Sequence, residues 1–496
     1  MPQVPLIPVD LPPGVARNGT RYQVGNRWYD ASLVRWLDGI MQPVGGWTSI
    51  TTSPIAHPAR GMVAWATNSG GRWYAIGTST KLHVGRGDTS LFDVTPGGFT
   101  SGNDNAVEQL GYGGSTYGTG TYGTQRPSGN FIPPTTWTLD TWGDHLVGSS
   151  TSDGKAYEWA LATGTPAAAI TNAPTSITSL VVTDQRHLMV FYGRTAQWSG
   201  VENNTLWTPA ANNEAGQIQF VTNGTVVRGV RVRGQILVLT TVDAHAMTYI
   251  GQPFIWSRSP VGDKCGVIGP NAVVVAGGRA FWMSDKRFWM YDGSAVQELP
   301  CEVADFVFNG MNKVQGAKVF AGSNGLFEEV HWHYCSTNAN EPDRYVAFNY
   351  RMGYWMIGAL TRAAWADKGA FPNPMAVGGD GLVYVHETGQ LANGASRVGT
   401  VYAETGALEL GHGDRVTDLN QILTDEKTKG DTQISFTSRY VPNGDQYAWG
   451  PFQVRTDGYM DARVSGRQLV MRLDALNDNA WQLGKMRFDA TATSGR

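Results

Sequence analysis

The stretch HWHYC, residues 331–335, gathers the residue types best able to do chemistry in this chain. On a β-strand alternate side chains share a face, so His331, His333 and Cys335 all point one way. Imidazole nitrogens and a thiolate are donors that a tetrahedral metal accepts, and three of them can make an open site. Side chains on one strand face project in parallel, however, whereas a metal needs them to converge. No residue identifies itself as a fourth ligand. The three are read as polar residues on a sheet face, and neither a metal nor a cofactor is assigned.

Other chemical patterns lead to the same place. SDGKAYEW (152–159) shares letters with the S-x-D-x-G-x-x-W box of sialidase-type propellers. Ser152 directly precedes Asp153 and Gly154 follows at once, so the register fails and Asp153-Gly154 reads as a hairpin turn. Glycoside hydrolysis needs two carboxylates held across a bond. Glu328-Glu329 and Glu298 with Glu302 are close in sequence only, and they are read as exposed charge. There is no GxSxG, HExxH or P-loop pattern, and Asp380-Gly381 is a turn. RGVRVRG (228–234) puts Arg231 and Arg233 on one strand face, a pair rather than the interleaved basic and aromatic stripe of a nucleic-acid platform. The chain reads as a non-enzyme.

The elements that must position these residues are strands. FWMSDKRFWMYDG (281–293) alternates large apolar residues on both sides of the polar turn Ser284-Asp285-Lys286-Arg287. That is a β-hairpin whose rings pair across strands. It recurs in WYAIGTSTKLHVG (73–85), DHLVGSSTSDGKAYEWA (144–160), HLMVFYGRTAQWSG (187–200), GQILVLTTVDAHAMTYIG (234–251), RYVAFNYRMGYWMIG (344–358) and GLVYVHETG (381–389). From Asp144 the spacing is about 40–50 residues, the period of propeller blades, with one wider gap filled by a strand pair around Leu326–Tyr334. The expected fold is therefore all-β: an irregular β-propeller of about six or seven blades, with an N-terminal extended arm and a C-terminal β-module. Residues 1–50 form the arm and an aromatic module, 51–402 the propeller-like domain, and 403–496 the C-terminal module. GYGGSTYGTGTYGT (111–124), within a Gly/Tyr-rich region near 101–135, is too glycine-rich to pack and reads as a mobile loop. One short helix is expected in CEVADFVFNGMNKVQ (301–315), with Val303, Phe306 and Val307 on one side.

Composition agrees. Sixty-two glycines, 18 tryptophans and only 16% charged residues suit short strands and tight turns better than helices. A formal charge of −3 advertises no basic surface for nucleic acid or anionic membranes. Three widely spaced cysteines, Cys265, Cys301 and Cys335, fit reduced thiols in a cytosol rather than a disulfide framework. MPQVPLIPVDLPPG lacks a basic start and a long apolar run, so it reads as an extended arm rather than a signal peptide, and no membrane insertion is expected.

RYQVGNRWYDASLVRWLDGIMQPVGGW (21–47) resembles the start of the tail hub, or nozzle, proteins of short-tailed bacteriophages, which stabilise packaged DNA and complete the head. Residues 301–369 resemble their central region, where an aromatic strand, a polar turn and the strand DRYVAFNY follow in order. WQLGKMRFD (481–489) is similar to their C-terminal strand. These stretches cover about a fifth of the chain. The resemblance implies a β-propeller-based virion structural protein that forms a ring, generally a homo-hexamer, below the portal and its adaptor. It would enclose the channel through which packaged double-stranded DNA leaves without sequence-specific binding, and spikes or fibres would attach nearby. It implies assembly in the host cytoplasm and residence in the virion tail. The proline arm is suited to dock on a neighbour, with Arg17, Arg21 and Arg27 as candidate interface contacts. The alternative reading is a carbohydrate-binding or depolymerising tail protein, whose exposed aromatic platform would stack sugars.

Overall fold

The computed structural model describes residues 6–111, 126–408, 410, 415–441 and 444–493. Among the described residues, seven four-stranded antiparallel sheets follow one another along the chain. The first strands of the sheets are Ala59–Ala66, Trp137–Trp142, Ser179–Val182, Val226–Val232, Val273–Ala276, Phe320–Asn324 and Arg362–Ala366. Each lies against the next, and Arg362–Ala366 lies against Ala59–Ala66, so the ring of inner strands closes. This is a β-propeller, and we number its blades one to seven in that order.

Six blades are built from consecutive strands. Blade seven takes Arg362–Ala366, Met375–Gly378 and Val383–His386 from one end of the chain and its outermost strand, Trp47–Ser49, from the other. Trp47 pairs with His386 and Thr48 with Val385. A ring of blades sewn shut by both ends of its chain leaves no frayed terminal sheet.

Tight turns explain why these sequences form hairpins. Val232 and Gln235 pair around Arg233-Gly234, both with positive φ (48° and 76°), the conformation that turns two strands back on themselves. The hairpin Arg279–Met283 with Phe288–Tyr291 closes over Ser284 to Arg287, as the sequence predicts. Between blades the apolar residues interlock. Gly77 lies flat under the Trp137 indole, and a Cβ there would overlap the ring. Trp137 in turn donates to the Thr78 carbonyl at 2.6 Å, tying blade two to blade one.

The wider gap in the hairpin series has a simple cause. In blades one to five the sequence repeat marks strands two and three. In blade six RYVAFNYRMGYWMIG marks strands three and four, Arg344–Asn349 and Tyr354–Ala359. The strand at Glu329–Tyr334 is the missing second strand.

The N- and C-terminal segments are one unit, not two. Val34–Leu37 and Ile40–Pro43 continue into a sheet with Leu483–Thr493, Val416–Glu426 and Tyr459–Gly466. Trp28–Ser32 heads a second sheet with Tyr402–Thr405, Gln468–Ala475, Thr432–Arg439 and Tyr447–Gln453. Leu419, Ile422, Met460 and Phe488 from the first meet Ile434, Phe436, Met471 and Leu473 from the second in a common buried core. The expected division at 50 and 403 is thus cut differently in space. The described part of this segment, residues 6–50, splits between this sandwich and blade seven, because its strands find partners only far along the chain. Within the arm, Ile7–Val9 pairs with Met486–Phe488 of the same chain.

The sandwich packs on blade six. Val15 donates its backbone N–H to Trp355 at 2.8 Å, and the rings of Trp36 and Tyr354 meet edge-on at 6.1 Å. The expected helix is shorter than 301–315: Ala304–Asn309, followed by a 3₁₀ segment Lys313–Lys318. Val303 and Val307 are buried, as its pattern requires. The Gly/Tyr tract lies, beyond Gly111, outside the described residues; its flanks, Val107–Gly111 and Arg126–Ile132, pair as a hairpin between blades one and two. Among the described residues no helix is long and apolar enough to cross a membrane.

Candidate functional site

The most concentrated polar chemistry lies where blades six and seven meet the terminal sandwich. Arg35 enters from the strand Val34–Leu37, with its side chain only 3% exposed. Its guanidinium grips Glu387 with two bonds, Nη2 to Oε1 at 2.6 Å and Nη1 to Oε2 at 3.0 Å. It also donates to Glu329 Oε2 at 3.1 Å. Asn324 Nδ2 and the Gly45 N–H add bonds to Glu387 at 2.8 and 3.0 Å. Burial opposes the Arg35 charge, but the two carboxylates outweigh it and hold the guanidinium protonated. Burial raises the Glu329 carboxyl to about 7 against the pull of Arg35, and the Glu387 charge adds to the rise. Glu329 is thus not exposed charge as its sequence suggests; strand alternation turns it inward, and only Arg35 makes that tolerable. The signal in the sequence was Arg35 itself, a lone charge inside the apolar strand VRWL.

Beside this network stand three imidazoles. His331 and His333 share one face of Glu329–Tyr334, as the sequence predicts, and both are buried. Their rings lie 5.1 Å apart at right angles. His331 meets Trp365 edge-on at 4.4 Å, and His333 stacks parallel on Phe320 at 4.8 Å. His386 stacks on Trp47 at 5.6 Å and accepts from Arg362 Nε at 2.8 Å. Burial, helped by Arg35, lowers His331 to about 3, and burial with the neighbouring cations holds His333 and His386 well below the usual imidazole range. Cys335, past the strand end, lies elsewhere: its thiol faces the Asn340 carbonyl, and burial pushes it up to about 12. Among the described residues no three His, Cys, Asp or Glu side chains converge as metal ligands. The imidazoles work as flat aromatic wedges between blades, kept neutral by their surroundings.

The remaining candidates are engaged within the chain. Arg17 pairs with Asp30 at 2.9 Å and lies over the Phe306 ring at 3.9 Å. Arg21 pairs with Glu404, and Arg27 holds Glu302 with two bonds at 3.0 and 2.6 Å. Together they tie the arm to the segment after blade five and to the sandwich. Glu298 meets Arg287, and Glu328 meets Arg351 at 2.9 Å. Asp153-Gly154 is a turn, with Gly154 at φ 63°. Arg231 and Arg233 do not act as a pair. Arg231 reaches Asp140 in blade two at 3.0 Å, whereas Arg233 sits in the turn and donates to the Gly278 carbonyl of blade five at 2.9 Å.

No protein-family model matches the chain, and no curated protein sequence matches it. Two solved structures are similar in outline. A streptogramin B lyase is 7% identical, covers 68% of this chain and 96% of its own, and superposes with a TM-score of 0.40. The β-propeller domain of Cps50 (Swd1) from Myceliophteria thermophila is 9% identical, covers 68% of this chain and 99% of its own, with a TM-score of 0.40.

Proposed function

We propose that this chain is a structural component of a short bacteriophage tail. In this reading it forms a hub or nozzle ring, a homo-hexamer, below the portal and its adaptor. The ring encloses the DNA exit channel, retains packaged DNA and lets the genome leave. The observation that carries the proposal is the locking of propeller to sandwich through Arg35, Glu329 and Glu387. Units joined by a linker move against each other, whereas a buried ionic junction inside a continuous core makes one stiff block, suited to a wall under load. A formal charge of −3 supports a duct that does not hold phosphates. The hairpin Val107–Gly111 with Arg126–Ile132 supports assembly: Val107, Leu110, Phe131 and Ile132 are each about half exposed on a two-stranded ribbon, which is marginal in water until another surface covers it.

The sugar-binding alternative needs an exposed aromatic platform; all eighteen tryptophans are buried or half-buried, so such a platform would fall to exposed rings such as Phe254, Tyr440 and Tyr447. Light scattering on the purified chain, followed by electron microscopy with its adaptor, tests the proposal. Rings with a bore wide enough for a duplex are expected; a chain that stays monomeric and joins no tail component overturns it.

A further inference from the structure

The inner strands of the blades border a cavity of about 130 Å³ on the propeller axis. Its wall carries Arg60, Lys318 and Arg228, with Thr136 and Asn271 between them. Two of these cations have a carboxylate partner. Arg60 grips Glu341 with bonds of 2.9 and 2.6 Å, and Lys318 Nζ reaches the same carboxylate at 2.8 Å. Nearby Asp104 turns its carboxylate to Ser79 and His57. Arg228 differs: its Nε and Nη1 are shut away from solvent and have no hydrogen-bond partner. Asp140 is near enough to act on its charge, but its oxygens already accept from Arg231, Thr141 and Val182 at 2.8–3.0 Å.

Charge around the axis is therefore unbalanced. Arg60 and Lys318 share one carboxylate, Arg231 uses Asp140, and Arg228 is left over. A guanidinium with two buried, unpaired donors is costly, and its planar fork matches an oxyanion edge. Burial lowers the Arg228 pKa to about 10, with Arg231 adding to the drop against Asp140; a bound anion removes that pressure. At roughly 30 Å³ per water the space holds about four waters, or one tetrahedral oxyanion.

We infer that the propeller axis is a binding site for a small oxyanion of the phosphate or sulfate class, held by the free donors of Arg228. The site is independent of the tail assignment, since it asks nothing of a ring or a neighbour.

Isothermal titration of the full chain with inorganic phosphate in chloride buffer, at matched ionic strength, tests it. Wild type is expected to bind one phosphate per chain. Charge-assisted bonds of this kind make Arg228→Met at least about tenfold weaker. Arg228→Lys keeps the charge without the fork and falls between the two, which preserves the test if Arg228→Met fails to fold. Acetate in place of phosphate is expected to bind more weakly, having fewer oxygens to share. Absence of binding to wild type, equal binding to Arg228→Met, or competition by a short oligonucleotide at lower concentration than phosphate would each overturn the inference.

Discussion

Arg35 and Glu387 face each other at 2.6 Å across 352 residues of chain, and their bond is a bolt between the first strands of the sandwich and the last blade of the propeller. Arg35→Met leaves Glu329 and Glu387 buried without their cation. A loss of about 3–5 kcal/mol is expected in urea unfolding. Adding Glu329→Gln and Glu387→Gln should restore a large part of it, because the penalty lies in the stranded charges. Equal stability of Arg35→Met and wild type would show that the junction is not the bolt described.

The imidazoles make the fold acid-sensitive. His331, His333 and His386 are held neutral in the fold, below the ordinary value of 6.5. The unfolded chain takes up protons as pH falls through 6.5 while the fold refuses them, so stability present at pH 7.5 is lost on acidification. Each imidazole contributes a slope of up to about 1.4 kcal/mol per pH unit. Glu329, raised to about 7 from 4.5, runs the opposite way and cancels one imidazole's share between those values. Urea midpoints at pH 7.5 and 5 should differ strongly in wild type and less in the His331→Phe, His333→Phe double variant.

Blade contact is tight at Gly77. Gly77→Val drives two methyls into the Trp137 ring, and overpacking of this kind costs about 1–3 kcal/mol. Thermal unfolding should show a lowered Tm with an unchanged circular dichroism spectrum before the transition.

The cysteines should be silent. All three are free, and burial pushes the Cys265 and Cys335 thiols up to about 12 and Cys301 above the usual thiol range. At pH 8 a thiol-reactive dye is expected to label the native chain far more slowly than the urea-unfolded chain, where three thiols react.

Hairpins were legible because each carries its own instructions: alternating residues such as Phe281 and Met283, and a turn such as Arg233-Gly234, act within a dozen positions. The ring closure was not, since nothing in Trp47-Thr48-Ser49 announces that its partner is Tyr384-Val385-His386. His331 and His333 were placed on the right face, but whether a face meets solvent, a metal or Phe320 is decided by another strand. Arg228 escaped for the same reason. It sits in RGVRVRG beside Arg231 and Arg233, and only the curl of seven sheets distinguishes the one that faces the axis.

The paired chain ends also set a timetable. At about 5–20 residues per second, the ribosome needs roughly 25–100 s to make this polypeptide. Trp47–Ser49 and the strands before it must wait for partners synthesised hundreds of residues later. Until then the nascent product carries an open seam of tryptophan-rich strands, which the emergence of Val383–His386 first allows to close.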